Sequence, residues 1–127
     1  MASADLLLDT HVFLWWRAND PRISDPVRKA VASAPVVFVS VASAWEAAIK
    51  RALGKLTLPD TMEAGVVQSG FEKLLISFAH TELAATLPMH HHDPFDRMLV
   101  AQARAEGLTL VTHDRLMEPY GVPILWA

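Results

Sequence analysis

Four acidic residues are the part of this 127-residue chain whose type and spacing could do chemistry. Each follows a strand-like run or lies in the first turns of a helix-like one: Asp9, Glu46, Asp96 and Asp114. In an α/β fold the segments beyond the carboxyl ends of parallel strands converge on one crevice. Two carboxylates at about 4 Å repel by about 4 kcal/mol at an effective dielectric of about 20, so such a site needs a cation. The placement therefore predicts a hard divalent metal site and a reaction at phosphate.

Strand-like and helix-like segments alternate along the chain and position these acids. The predicted strands cover residues 5–9, 36–39, 74–78, 108–111 and 122–126, and the predicted helices cover residues 10–17, 25–33, 42–53, 61–70, 81–87 and 94–105. Asp25 with Pro26 is typical of a helix start, and Gly54 and Gly107 of helix ends. Pro123 places the last strand at a sheet edge. The alternation implies right-handed βαβ units, so we predict an α/β fold whose mainly parallel sheet carries helices on both faces.

Length and composition predict one domain over residues 1–127. The hydrophobic content of 52% is ordinary for a globular protein, and the lack of cysteine excludes a disulfide framework, a cysteine zinc site and a thiol nucleophile. The first residues lack a basic signal-peptide region and no apolar run is long enough for a membrane span, so we expect a cytoplasmic protein. The net charge of −3 argues against a protein that coats nucleic acid, although not against a nuclease.

The first two acids each have a simpler structural explanation. Asp9 could be the N-cap of a helix that begins at Thr10. Glu46 could close a capping box with Ser43. If that helix instead begins at Ser40, Glu46 lies about two turns in and its side chain can reach back over the strand ends. Both explanations stay open at the level of sequence.

The other two acids also have two interpretations. Asp93 is a natural N-cap, and Asp96 in the first helical turn is favoured by the helix dipole. Arg97 beside it could hold a phosphate. Asp114 could cap the short segment after it, and Thr112 could ligate a metal through its hydroxyl or position a water.

Three histidines, aromatic residues and a basic cluster complete the candidates. Adjacent histidines in an extended segment point in alternating directions, so we predict a loop over residues 90–92 with one histidine near the site, in preference to a zinc centre. Trp15, Trp16 and Trp45 are more often core or interface residues than platforms for base stacking. A basic cluster lies late in the helix predicted over residues 42–53 and just after it: Lys50, Arg51 and Lys55. It is either a solvated face or a rim that contacts phosphate.

Four segments, taken in order, match the motifs of a known family. They are LLLDTH at residues 6–11, SAWEAAIK at 43–50, HHHDPFDRMLVAQA at 90–103 and LVTHD at 110–114. They resemble PIN-domain ribonucleases, and most closely the VapC-type toxins of bacterial toxin–antitoxin pairs. The resemblance runs from residue 5 to Trp126, and its most specific parts are the segments that contain Glu46 and Asp96.

The resemblance implies a three-layer α/β/α sandwich of PIN type, with a central mainly parallel sheet of four to five strands. It implies that Asp9, Glu46, Asp96 and Asp114, matched by position, bind Mg²⁺ or Mn²⁺ and cleave RNA endonucleolytically. Asp93 matches a recurrent neighbour with a supporting role. Lys50, Arg97 and Thr112 are further candidates for support or substrate contact. Position 92 is His where relatives often carry Arg, which leaves a phosphate contact there open.

The same resemblance implies partners. VapC-type toxins are commonly homodimers, and a cognate antitoxin wraps a hydrophobic groove and inserts a basic side chain into the acidic site. A PIN nuclease that acts in RNA processing without an antitoxin is the main alternative.

Other classes fit less well. A receiver domain needs a lysine near the last strand, and the segment VPILW has none; a haloacid-dehalogenase-type phosphatase needs Asp-x-Asp, whereas Asp9-Thr-His has one aspartate. A binding module with a vestigial site is disfavoured because no acidic position is lost. The favoured mechanism is attack of metal-activated water on a phosphodiester, with Asp9 and Asp96 as the central ligands.

Overall fold

The structure is a computed structural model that describes residues 4–127. Its strands are β1 (Leu6–Leu8), β2 (Val37–Ser40), β3 (Glu72–Leu74), β4 (Thr109–Thr112) and β5 (Ile124–Trp126). Its α-helices are α1 (Thr10–Arg17), α2 (Asp25–Ser33), α3 (Val41–Ala52), α4 (Met62–Gln68), α5 (Phe78–Thr86) and α6 (Pro94–Glu106), and a 3-10 helix covers Arg115–Tyr120. None of the helices within residues 4–127 combines the length and apolar character needed to cross a membrane.

The five strands form one parallel sheet in the order β3-β2-β1-β4-β5. The central strand β1 aligns Leu7 with Phe38 of β2 on one side and with Leu110 of β4 on the other. Strand β5 lies at the edge after Pro123, as the proline predicts, and the Pro123 carbonyl accepts a hydrogen bond from the Leu110 amide at 2.9 Å. Because all neighbours are parallel, every carboxyl end lies at the same edge of the sheet, where the acidic residues follow.

Two hydrophobic clusters cover the two faces of the sheet. Leu6 and Leu8 point into one cluster with Phe13 of α1, and Leu7 points into the other with Leu99 of α6. This alternation follows from the two-residue period of a strand. Helix α3 contributes small residues to both clusters and contacts α1, α4 and α6. The arrangement is the α/β/α sandwich that the sequence predicts, with a sheet that is entirely parallel.

The third strand begins two residues earlier and ends four residues earlier than the sequence predicts. Residues 74–78 were expected to form it, but β3 ends at Leu74 and Phe78 begins α5. Ser77 caps α5 by accepting from the His80 amide, while the His80 ring accepts from the Ser77 amide. Strand β3 is a solvent-facing edge, so it forms with Glu72 and Lys73 instead of the apolar residues that a buried strand requires.

Candidate active site

The structure brings all four predicted acids together at the carboxyl edge of the sheet. They line one cavity of about 370 Å³. The same cavity is lined by Lys50, Asp93, His91, His11 and His113. Residues that are up to 105 positions apart in the chain, from Asp9 to Asp114, therefore share one site.

Asp9 is both a helix cap and a wall of the cavity. One of its oxygens accepts from the Val12 amide at 2.8 Å and caps α1, and the other accepts from the Thr112 hydroxyl at 2.5 Å. Thr112 also accepts from the Asp114 amide at 3.0 Å, so its hydroxyl ties the ends of β1 and β4 together. Asp9 is 2% exposed, and this burial raises its pKa, although the two hydrogen bonds and the neighbouring histidines oppose the shift.

Glu46 lies deep in the site because α3 begins early. Ser40 is the N-cap of α3, which places Glu46 in the second turn, and the alternative capping box with Ser43 is not formed. Ser43 instead contacts the buried Thr10 hydroxyl at 2.9 Å. That hydroxyl donates to Glu46 Oε1 at 2.6 Å, and Lys50 Nζ donates to Glu46 Oε2 at 2.9 Å. The carboxylate is therefore held at both oxygens.

Asp93 is the N-cap of α6, as the sequence predicts, and Asp96 lies in the first turn of the helix. Asp93 caps the helix by accepting from the amides of Phe95 at 2.8 Å and Asp96 at 3.2 Å. Asp96 is left to face the cavity. Asp114 caps the 3-10 helix by accepting from the Leu116 amide at 3.0 Å with one oxygen, while its other oxygen faces the site.

Asp96 carries the clearest electrostatic sign of a crowded site. Burial raises its pKa from 3.8 to about 7, and the charges of Asp93, Asp9 and Glu46 add to the shift while His91 opposes it. A carboxyl in this position stays largely protonated below neutral pH unless a cation joins it. Burial is the larger cause of this shift, and the repulsion among the acids, which their spacing predicts, adds to it.

His91 is the histidine that faces the acids. Its Nε2 lies 3.0 Å from Asp96 Oδ2 and 2.8 Å from Asp114 Oδ2. Its Nδ1 accepts from the Asp93 amide at 3.3 Å, which leaves the Nε2 proton to bridge the two carboxylates. The sequence predicted one histidine of three near the site without indicating which. His90 instead lies edge-on against the Tyr120 ring.

His11 and His113 are site residues that the sequence reasoning missed. Both line the acidic cavity; His113 directly precedes Asp114, and His11 lies two residues after Asp9. That adjacency within two of the motifs was the one available signal. Their rings lie 6.0 Å apart, edge to face.

Arg97 has a structural role instead of the phosphate contact suggested from the sequence. Its buried guanidinium donates to the carbonyls of Ala84, Leu87 and Pro88, each at 2.9 Å. The Tyr120 hydroxyl also lies within hydrogen-bond distance of the Arg97 guanidinium, at 3.3 Å. These partners fix the end of α5 and the loop that carries His91, so Arg97 acts on the site only through the backbone.

Replacing Arg97 by methionine is expected to destabilise the protein by about 3 kcal/mol or more, because several buried carbonyls lose their donors at once. Urea unfolding of the two proteins measures the difference. Arg22→Met is the matched control, since that guanidinium is exposed and pairs with Asp20 at the surface. Unchanged stability of the Arg97 variant together with a selective loss of RNA affinity would restore the phosphate-contact role.

The donor chemistry of the cavity fits a hard divalent cation. Carboxylate oxygens are the ligands that Mg²⁺ and Mn²⁺ prefer, and one imidazole is compatible with Mn²⁺. Within residues 4–127, His91, Asp96 and Asp114 form a group whose potential ligand atoms all lie within 4.8 Å of one another. Asp9 and Glu46 extend this group across the cavity.

Fold and site together define the class of protein: the chain belongs to the PIN domain family, whose model matches residues 6–121. It is 30% identical over 123 residues to ribonuclease VapC22 of Mycobacterium tuberculosis, a match that covers 93% of each chain. The fold is similar to that in VapBC2 from Rickettsia felis bound to a promoter DNA fragment, with a TM-score of 0.71, 14% identity and coverage of 96% and 98% of the two chains. A toxin–antitoxin complex from Klebsiella pneumoniae gives a TM-score of 0.65 at 17% identity, with 94% and 95% covered.

Proposed function

We propose that this PIN domain is a metal-dependent endoribonuclease and the toxin of a toxin–antitoxin pair. The observation that carries the proposal is the convergence of Asp9, Glu46, Asp96 and Asp114 on one cavity. The raised pKa of Asp96 supports it, because an arrangement of carboxylates that repel one another is stabilised by a cation. The 30% sequence identity to ribonuclease VapC22 supports RNA as the substrate.

Asp9 and Asp96 are the central metal ligands in this proposal, and Glu46 and Asp114 complete the site directly or through water. Mg²⁺ is the expected ion, with Mn²⁺ as its substitute. When bound, the cation would lower the pKa of a water molecule beside it and neutralise charge on the phosphodiester. The four carboxylates would hold this cation, and the bound cation would position an RNA phosphate for in-line attack by water.

The supporting residues hold these carboxylates in place. Thr112 fixes one oxygen of Asp9, and Lys50 and Thr10 hold Glu46. His91 Nε2 lies between one oxygen of Asp96 and one of Asp114, so the N–H group there holds the two carboxylates together. Such outer contacts typically change metal affinity or activity by about 10–100-fold when they are removed.

The proposal includes two protein partners. The naming of similar folds as VapBC and toxin–antitoxin complexes supports a cognate antitoxin. An exposed apolar stripe on α3 with four-residue spacing supports a homodimer: Val41, Trp45, Ile49 and Leu53. A cytoplasmic location, where both RNA and an antitoxin are available, is part of the same proposal.

Trp45→Glu is expected to convert the homodimer to a monomer, because Trp45 is 63% exposed at the centre of the α3 stripe. The molar mass measured by light scattering should then fall from that of a dimer, twice 14.0 kDa, to that of a single chain, 14.0 kDa. Val67→Glu places the same charge at an equally exposed apolar residue of α4 and should leave the mass unchanged. A parent protein that is already monomeric at micromolar concentration would remove the dimer from the proposal.

The activity is tested with the purified chain and a mixed pool of bacterial RNA. After treatment with a chelator we expect no cleavage, and addition of Mg²⁺ or Mn²⁺ should restore discrete cuts inside the RNA. Cleavage that persists in excess chelator would overturn the metal-dependent mechanism. An absence of any cleavage across RNA classes and both metals would overturn the nuclease itself.

A further inference from the structure

A second cavity adjoins the acidic one and is larger, at about 580 Å³. The two share His11 and Lys50 as lining residues. The second cavity lies between the exposed side of α1 and the segment of residues 55–59. Its volume is within the roughly 300–1,000 Å³ of small-molecule sites. Whatever occupies it lies directly beside the proposed metal site.

The charge of this cavity favours an anion. Lys50 and Lys55 line it, and no carboxylate within the described residues forms a salt bridge with Lys55. Asp20 is the acid in its lining, but the Arg22 guanidinium bonds both Asp20 oxygens and holds the pKa of that carboxyl at about 2. Arg17 is occupied by Asp60. Lys50 is occupied by Glu46 at 2.9 Å. Among the described lining residues, the Lys55 ammonium is therefore the group that can meet a phosphate.

A wall of flat side chains connects the second cavity to the acidic one. The Arg22 guanidinium lies 4.7 Å from the centroid of the Trp15 ring, and the His113 ring lies 4.6 Å from that ring. His11 continues the wall at 6.0 Å from His113 and 6.5 Å from Trp15. Aromatic rings and arginine planes of this kind are the surfaces on which unpaired nucleobases stack.

We propose that the second cavity binds the nucleotide next to the cleaved phosphodiester. Its base would pack on the wall formed by Trp15, Arg22 and His11, and its phosphate would meet Lys55. The inference rests on the proposed nuclease function and deepens it. A base held in this cavity cannot be paired at the moment it is bound.

The position of the cavity favours RNA over a protein segment. A strand that places one phosphate among the acids must place its neighbouring nucleotide a few ångströms away, and the shared lining of His11 and Lys50 provides that passage. Both a positive rim and stacking groups are present there, which is the combination that binds single strands. A segment of a partner protein in the same cavity is the competing outcome.

The phosphate contact is tested by binding a fluorescent single-stranded RNA to the full chain in chelator, in an Asp9→Asn background that cannot cleave. Lys55→Ala should weaken binding and make the slope of log affinity against log salt shallower by about 0.7, the value for one lost contact on a single strand. Lys29→Ala on α2, which lines neither cavity, is the matched control and should change neither quantity. Equal slopes for the Lys55 variant and its parent would overturn the contact.

The base contact is tested with RNA that carries one abasic position beside the mapped cleavage site. We expect one such position to weaken binding by about 5- to 100-fold, the range for one stacked base. Trp15→Leu, checked for folding by urea unfolding, should abolish most of that penalty, and Trp15→Phe should retain it.

The possible results separate this subsite from the proposed function. If no abasic position weakens binding, or if the penalty persists in a folded Trp15→Leu protein, the subsite is overturned while cleavage can stand. If Lys55→Ala and Trp15→Leu leave RNA binding intact but weaken the binding of a purified antitoxin, the cavity is a protein site and the inference is wrong. Failure of the parent to cleave any RNA overturns the nuclease, and the salt dependence of binding by the Lys55 variant does not depend on cleavage.

Discussion

Asp9→Asn is expected to lower the rate of RNA cleavage by at least about 100-fold while leaving the fold as stable as the parent or more stable. Loss of a central carboxylate removes several kcal/mol of charge stabilisation, and each factor of ten corresponds to about 1.4 kcal/mol. An asparagine oxygen can still accept from the Val12 amide or the Thr112 hydroxyl, so the cap of α1 persists. Burial no longer opposes a charge at this position, because the side chain is neutral.

The measurement pairs single-turnover cleavage of RNA with urea unfolding of the same two proteins in chelator. Asp25→Asn is the control, because it makes the same change at an exposed first-turn position of α2. Loss of activity together with a large loss of stability would point to a structural role for Asp9. A variant that cuts RNA at the parental rate would remove Asp9 from the site altogether.

The second large effect is on the pH dependence of stability without metal. The folded-state pKa of Asp96 is about 7 against an ordinary value of 3.8, so the folded protein holds this proton more tightly than the unfolded chain. Stability from this group is therefore complete below about pH 4 and is lost as pH rises towards about 7. The expected loss is on the order of 2–4 kcal/mol, and Asp96→Asn should abolish it.

Urea unfolding between pH 4 and pH 8 compares the parent with Asp96→Asn, and their difference removes the contribution of the histidines that do not contact Asp96, leaving Asp96 together with its partner His91. Addition of Mg²⁺ should stabilise the parent increasingly as pH rises, since the cation binds the ionised carboxylates. The variant should gain much less from Mg²⁺. A difference between the two proteins that does not change with pH would show that Asp96 ionises normally and would weaken the crowded-site account.

The sequence was sufficient for the features that depend on local pattern. Short apolar runs followed by an acid located β1 and β4 together with Asp9 and Asp114, because a buried parallel strand is continuously apolar and its end is not. The assignment of Asp93 as a helix cap followed from the proline after it and the helix start, whereas the separate role of Asp96 came only from the family resemblance.

The features that the sequence could not predict depend on distant parts of the chain. Arg97 looked like a phosphate ligand because the carbonyls that hold it belong to the end of α5, which meets α6 only in the folded protein. His91 is distinguished from its two neighbours by contacts with Asp96 and Asp114, the latter 23 residues away. The edge strand β3 was misplaced because exposure removes the apolar pattern by which strands are recognised.

The most direct measurement of the central claim is the chemistry of the RNA ends produced in ¹⁸O-labelled water with Mg²⁺. If the four carboxylates serve attack by water, each cut should place ¹⁸O in a linear terminal phosphate, with no cyclic phosphate at any stage. Replacement of the ribose 2′-hydroxyl at the cut by hydrogen should then still allow cleavage. Unlabelled 2′,3′-cyclic phosphate ends, together with loss of cleavage in the 2′-deoxy substrate, would show that the RNA's own hydroxyl attacks and would contradict the account.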